Sequence, residues 1–151
     1  MPTTRLKEFL KDNRVAYQVI PHPAAFTAKM VAGVAHIPRR EMAKTVVVKL
    51  DDHLAMAVVP ANREVNLELL RQATGAGSAE LAQEREFKGD FPECEAGAMP
   101  PFGNLYGMEV YVEPHLAADA LIAFNAGTHT EVIRMAYRDF ERLAHPHLVD
   151  M

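Results

Sequence analysis

Two apolar runs, "KTVVVKL" at 44–50 and "LAMAVVP" at 54–60, are separated only by "DDH", and this pattern constrains the fold of the chain more than any other. β-Branched residues pack well on a pleated surface, and a short polar joint between two such runs reads as a turn. The stretch predicts an antiparallel hairpin of central strands, which other elements must cover. Three further strand candidates, "MEVYVE", "ALIAFNAG" and "TEVIRM", lie in the second half, the last two spaced as another hairpin. An early strand, "VAYQVI", stops at Pro21.

Helices are predicted between them. Thr3 or Thr4 caps a first helix with Leu6, Phe9 and Leu10 at helical spacing. Thr27 caps a second that carries Met30, Val31 and Val34 on its packed side, with Pro38 beyond its end. Asn66 caps "LELLRQAT", "GAGS" breaks the chain, and Ser78 starts a further helix through Glu86. "AYRDFERLA" closes the order, with Tyr137, Phe140 and Leu143 as its buried stripe and Pro146 as its stop. The segment 88–104 holds too many prolines and glycines for helix or strand and reads as a long ordered loop. Hairpins with interspersed helices define an α+β fold with a mostly antiparallel or mixed sheet.

Composition bounds the function. The 151 residues suit one domain spanning 1–151, and 49% apolar with 24% charged residues is the balance of a globular chain with a core. Cys94 is the single cysteine, no signal-like apolar run opens the sequence, and no stretch is long enough to span a bilayer. These features lead to an expected cytoplasmic protein without membrane contact. A net charge of -4 argues against loose adhesion to DNA or duplex RNA, so any nucleic-acid contact must be local. Positive charge gathers only in "PRREMAKTVVVKL", where Arg39, Arg40, Lys44 and Lys49 stand against Glu41.

The familiar catalytic signatures are missing. There is no HExxH, CxxC, GxSxG or phosphate loop, and "HPH" at 145–147 reads as a solvated tail, so no metal or cofactor is expected. Cys94 is flanked by Glu93 and Glu95, which disfavour a thiolate, and reads as a free loop thiol. Lys44, at the entry of a strand, is either a solvated rim lysine or a point charge for a phosphate or carboxylate. "GAMPPFG" at 97–103 is either a surface turn or a backbone clamp, because glycines admit close approach and prolines fix direction.

Taken in order, "AKTVVVKL", "VVPANREVNLELL", "GAMPPFG" and "FNAGTHTEVIRM" resemble the YbaK and prolyl-tRNA synthetase-associated domains, from about Val15 to Leu143. The resemblance implies a YbaK-like single domain with a barrel-like core. It also implies hydrolysis of the ester joining a wrong amino acid to tRNA, most often tRNA for proline. Lys44 then corresponds to the family's functional lysine, and Gly97 and Pro101 to the ends of its GxxxP loop. His129, after Gly127 and Thr128, falls in the segment that closes the pocket. Phe26 and Thr27 match its entrance, and Met99 and Gly103 belong to the loop that shapes it. Such an ester is already activated, so a positioned water and a backbone oxyanion site suffice without a covalent nucleophile. Arg39, Arg40 and Lys49 would form a basic edge for a single-stranded acceptor end. Alanine is the first expectation for the amino acid removed, then cysteine and serine, with transient contact to a synthetase. The alternative is a noncatalytic module that binds an aminoacyl end or nucleotide in the same pocket.

Overall fold

The computed structural model describes residues 4–95 and 97–151. Helix α1 (Thr4–Asp12) leads into strand β1 (Tyr17–Pro21), and α2 (Ala28–Val34) precedes the hairpin of β2 (Ala43–Leu50) and β3 (His53–Pro60). Then come α3 (Leu67–Thr74), β4 (Ala79–Leu81), α4 (Glu84–Phe87), β5 (Glu109–Val112) and α5 (Pro114–Ala117). Strands β6 (Leu121–Asn125) and β7 (Glu131–Ala136), helix α6 (Tyr137–Ala144) and the two-residue β8 (His147–Leu148) complete the order.

The strands form two sheets, ordered β1-β7-β6 and β4-β2-β3-β5-β8. The first is antiparallel throughout, with Val19 opposite Ile133 and Phe124 opposite Ile133 on the other side. The second is mixed: β2 pairs antiparallel with β3 and β4, while β3–β5 and β5–β8 are parallel. A parallel bridge, Met42 to Ala123, stitches the sheets together where β2 begins. The result is α+β as expected, but the barrel-like core is two sheets joined at a seam rather than a closed barrel.

The hairpin forms where the valines place it, and Asp51 makes its turn in the left-handed region at φ 55°. The same aspartate explains a departure from expectation. Its Oδ1 accepts from the Gly77 and Ser78 backbone N–H groups at 2.9 and 3.0 Å, which steers 79–81 alongside β2. Ser78 therefore starts a strand, not a helix: without β4, the edge of β2 would present unpaired backbone groups. The chain turns helical only at Glu84, where the Glu86 carboxylate accepts from the Gln83 N–H at 2.8 Å.

Helix α2 is capped by Thr27, whose hydroxyl accepts from Met30 N–H at 3.1 Å. Its packed face is Val31, Ala32 and the following Ala35, while Met30 and Val34 are exposed. The helix thus turns its smaller residues to the sheet, which allows close approach. Thr4 opens α1, and the expected cap at Thr3 lies outside the described residues. Asn66 caps α3 through the Leu69 N–H at 3.0 Å, and Gly75 ends it at φ 73°. Tyr137, Phe140 and Leu143 are buried along α6. The histidines of 145–147 are exposed as expected, but the chain after α6 does not trail free. His147 and Leu148 pair with β5, and Val149 and Met151 are buried on the α3 side of the sheet.

The main core gathers around Phe102, which meets Phe9, Phe124 and Phe140 edge-on at centroid distances of 5.9, 5.7 and 5.3 Å. Edge-to-face rings add specificity to their area burial. Because Phe102 belongs to "GAMPPFG", the long loop is pinned to the core at that point. Among the described residues, no helix is long and apolar enough to cross a membrane.

Candidate active site

The seam between the sheets opens into a cavity of about 570 Å³, the size at which small-molecule ligands are usually held. Its walls come from Thr27 and Phe26 before α2, the first half of β2, Phe87 of α4, Met99 of the long loop and Asn125 at the end of β6. Lys44 and Gly97, far apart in sequence, both line it. Most of this surface is apolar, so its few polar groups stand out.

Lys44 enters the cavity as the second residue of β2, with its side chain 23% exposed. Its Nζ lies 3.3 Å from the Glu64 carboxylate, and Glu64 itself is 89% exposed. The lysine side chain is therefore mostly covered while its counterion sits in solvent, an arrangement in which an incoming anion can take the place of the carboxylate. Lys29, exposed on α2, lines the same cavity.

The loop 97–103 divides its duties. Gly97 (φ 80°) requires the left-handed backbone that glycine adopts without strain, and Met99 is buried against the cavity. The Ala98 N–H donates to Glu95 C=O at 3.0 Å, and its C=O accepts from Gly127 N–H at 2.9 Å. Glu95 N–H in turn donates to Gly127 C=O at 2.8 Å, which sews the loop to the corner after β6. Pro101 and Gly103 face the core instead and do not line the cavity. A Cβ on Gly103 would overlap the Met108 carbonyl oxygen and come within 2.7 Å of Val110 Cγ2, so this glycine serves packing.

His129 stands one layer behind the cavity. It is buried to 8% exposure, its backbone N–H donates to Glu95 Oε2 at 3.3 Å, and its ring Nε2 is 4.0 Å from the same oxygen. Its ring lies 4.8 Å from that of Phe26, which is 67% exposed at the cavity mouth. Ala25 N–H donates to His129 C=O at 3.1 Å and His22 N–H to Thr130 C=O at 2.8 Å, so the entrance segment is built on the 129–130 backbone. His129 thus shapes the mouth. Gly127, at φ 93°, holds the loop, and Thr128 bonds locally with Thr130. Neither lines the cavity.

The expected basic edge is not one surface. Lys49 is five residues from Lys44 and projects from the opposite face of β2, where it pairs with Glu86 at 3.4 Å. Arg40 is drawn to Asp119 at 3.8 Å, and Arg39 is exposed before the bridge. Lys29, which composition did not single out, is the cation that joins Lys44 at the cavity. Sequence reasoning also missed Glu64, Phe87 and Asn125. The first lies in a quoted stretch after β3 and the third in "FNAG", but neither belongs to a recognisable motif.

Cys94 is half-buried, with Sγ 3.8 Å from the Tyr106 hydroxyl, and borders a smaller apolar hollow of about 80 Å³. Burial, more than its acidic neighbours, pushes its thiol up from the ordinary value, the reverse of what a nucleophile needs. No group of three or more His, Cys, Asp or Glu among the described residues could hold a metal ion.

A mixed two-sheet domain that brings a lysine and a glycine-led loop onto one largely apolar cavity defines a small-ligand site. Residues 22–143 match the aminoacyl-tRNA editing domain, and the chain belongs to that family. It is 27% identical to the multifunctional Ser/Thr-tRNA deacylase ProXp-y of Escherichia coli (strain K12), over 97% of this chain and 90% of that protein. A shorter match, 35% identical, covers 46% of this chain and 12% of the proline–tRNA ligase of Thermosipho africanus (strain TCF52B). The fold superposes on the crystal structure of a provisionally assigned trans-editing enzyme for prolyl tRNA synthetase with a TM-score of 0.84. That match has 18% identity and covers 99% of this chain and 95% of that one.

Proposed function

We propose that the protein is a trans-editing deacylase that hydrolyses the ester of a small, wrong amino acid on tRNA by water attack. The observation that carries this reading is the placement of Lys44 and the Gly97–Met99 backbone on one cavity of about 570 Å³. A cation held by a displaceable carboxylate suits the phosphate next to the terminal adenosine, and exposed Phe26 suits stacking of an unpaired base. Ala98 N–H is committed to Glu95, so the developing oxyanion is assigned to the backbone of Gly97 and Met99, the two loop residues that line the cavity. Water is the nucleophile in this reading, since Cys94 is held as a thiol away from the cavity walls.

Alanine, cysteine and serine are the candidate amino acids. The Escherichia coli relative is named for seryl and threonyl tRNA, which directs attention to hydroxylated side chains. Lys29 and Lys44 replace the broader basic edge as the groups expected to meet the acceptor end, and contact with a synthetase would be transient. The cytoplasm remains the expected compartment.

The test is a deacylation panel of alanyl, cysteinyl, seryl and threonyl tRNA with catalytic amounts of protein. Lys44→Ala should lower kcat/KM roughly 10- to 100-fold, the effect of deleting a charged hydrogen-bond donor. Its melting temperature should stay close to that of the parent, because the Lys44–Glu64 pair is largely solvent-screened. Saturable binding of aminoacyl-tRNA with no turnover would sink the deacylase in favour of a binding module.

A further inference from the structure

Among the polar groups on the cavity wall, several are already engaged. Lys44 faces Glu64, and the Thr27 hydroxyl accepts the capping N–H of Met30. Asn125 differs. It ends β6 opposite Val132, and the next two residues are tied by Ala126 N–H to Glu131 C=O at 3.3 Å and Gly127 N–H to Ala98 C=O at 2.9 Å. The root of the side chain is therefore fixed by both β7 and the loop 97–103. Its Oδ1 is buried yet accepts no hydrogen bond, while the residue lines the cavity. Buried amide oxygens are nearly always paired, and this one, which has almost no accessible surface of its own, can be brought to a ligand donor by a turn of the soft terminal torsion of the side chain.

We propose that Asn125 is the specificity residue of this site: its side-chain amide oxygen accepts a hydrogen bond from the hydroxyl of a seryl or threonyl group esterified to tRNA. The inference rests on the deacylase reading and sharpens it. Of the donors that the amino acid itself carries, two could meet the amide, the α-ammonium and the side-chain hydroxyl. A cation buried against one neutral acceptor in apolar surroundings is poorly compensated, whereas a neutral hydroxyl and a neutral amide satisfy each other. An alanyl ester fits the space but leaves Oδ1 unpaired, and a site built to bond a hydroxyl discriminates against the analogue lacking it.

The experiment measures kcat/KM for seryl, threonyl and alanyl tRNA with the parent protein, Asn125→Leu and Asn125→Ala, with melting curves for all three. The parent should favour seryl over alanyl tRNA by roughly tenfold or more, and both variants should lose most of that ratio. Leucine keeps the volume and alanine opens it, so a ratio lost in both reports the acceptor rather than the space. An alanyl preference in the parent, or a ratio that survives both substitutions while turnover continues, would overturn the role of Asn125 and leave the deacylase intact. No turnover of any of the three by the parent would overturn the deacylase reading, and the role of Asn125 with it.

Discussion

Lys44 and Glu64 form a pair whose members have opposite environments. The lysine emerges from a strand beside buried Ala43, so its position is fixed by the sheet, while Glu64 sits on the connection after β3 with 89% of its side chain in water. Exchanging this carboxylate for a substrate phosphate costs little, but it is still a competition. Removing the competitor should help: Glu64→Gln is expected to lower KM for aminoacyl-tRNA a few-fold at low ionic strength, the scale of an exposed ion pair. The advantage should fade as salt screens the pair, and steady-state kinetics at two ionic strengths check it. A KM that rises instead would mean that Glu64 meets the substrate itself rather than competing with it for Lys44. Lys44 stood out in the sequence because a lysine before three hydrophobic β-formers is conspicuous. Glu64 did not, because an acidic residue in a polar connection carries no pattern of its own.

Elements differ in how much of their fate is local. The β2–β3 hairpin, the β6–β7 hairpin and α6 follow from short-range patterning, and each forms where the sequence places it. Segment 78–86 does not, because its strand exists through Asp51, which is distant in sequence, and through the open edge of β2. Likewise "HPH" reads as a tail until β5 supplies a neighbour, after which His147 pairs with Glu109 at 2.9 Å. The basic stretch 39–49 misled for a simpler reason: strand alternation sends Lys44 and Lys49 to opposite faces. The loop 97–103 was legible as ordered, but its division into a cavity half and a core half depends on Phe102 finding three aromatic partners. That division is testable at Gly103. Gly103→Ala forces Cβ onto the Met108 carbonyl and within 2.7 Å of Val110 Cγ2, and backbone atoms yield less readily than side chains. We expect a loss of about 1–3 kcal/mol in urea-unfolding free energy. Activity measured well below the unfolding midpoint should fall less than it does for Lys44→Ala, since Gly103 does not line the cavity.

At the scale of the whole molecule, burial has pushed a set of weak acids in one direction. Cys94, Tyr106, Tyr111 and Tyr137 are all raised, and removal from water is the largest cause for each. Tyr137, at 5% exposure, is pushed up to about 12 from 10.0. Each group thus holds its proton more tightly in the folded chain than in the unfolded one. Below the unfolded values both states are protonated and the stabilisation is complete. Above them the unfolded chain ionises first, and stability is lost as pH rises through the folded value. For Tyr137 the loss runs from about pH 10 to about pH 12, with a slope of at most about 1.4 kcal/mol per pH unit. Cys94 starts it earlier, near pH 9, the ordinary thiol value. Urea unfolding at intervals between pH 8 and pH 11 should therefore show a midpoint that declines progressively above about pH 9. Tyr137→Phe isolates one contribution. Its hydroxyl oxygen is buried without a hydrogen-bond partner, so deleting it should leave neutral-pH stability unchanged or slightly improved. The variant should also lose less stability than the parent above pH 10. A variant curve parallel to the parent's would mean that Tyr137 ionises as readily folded as unfolded, and the alkaline decline would then belong to the other three groups.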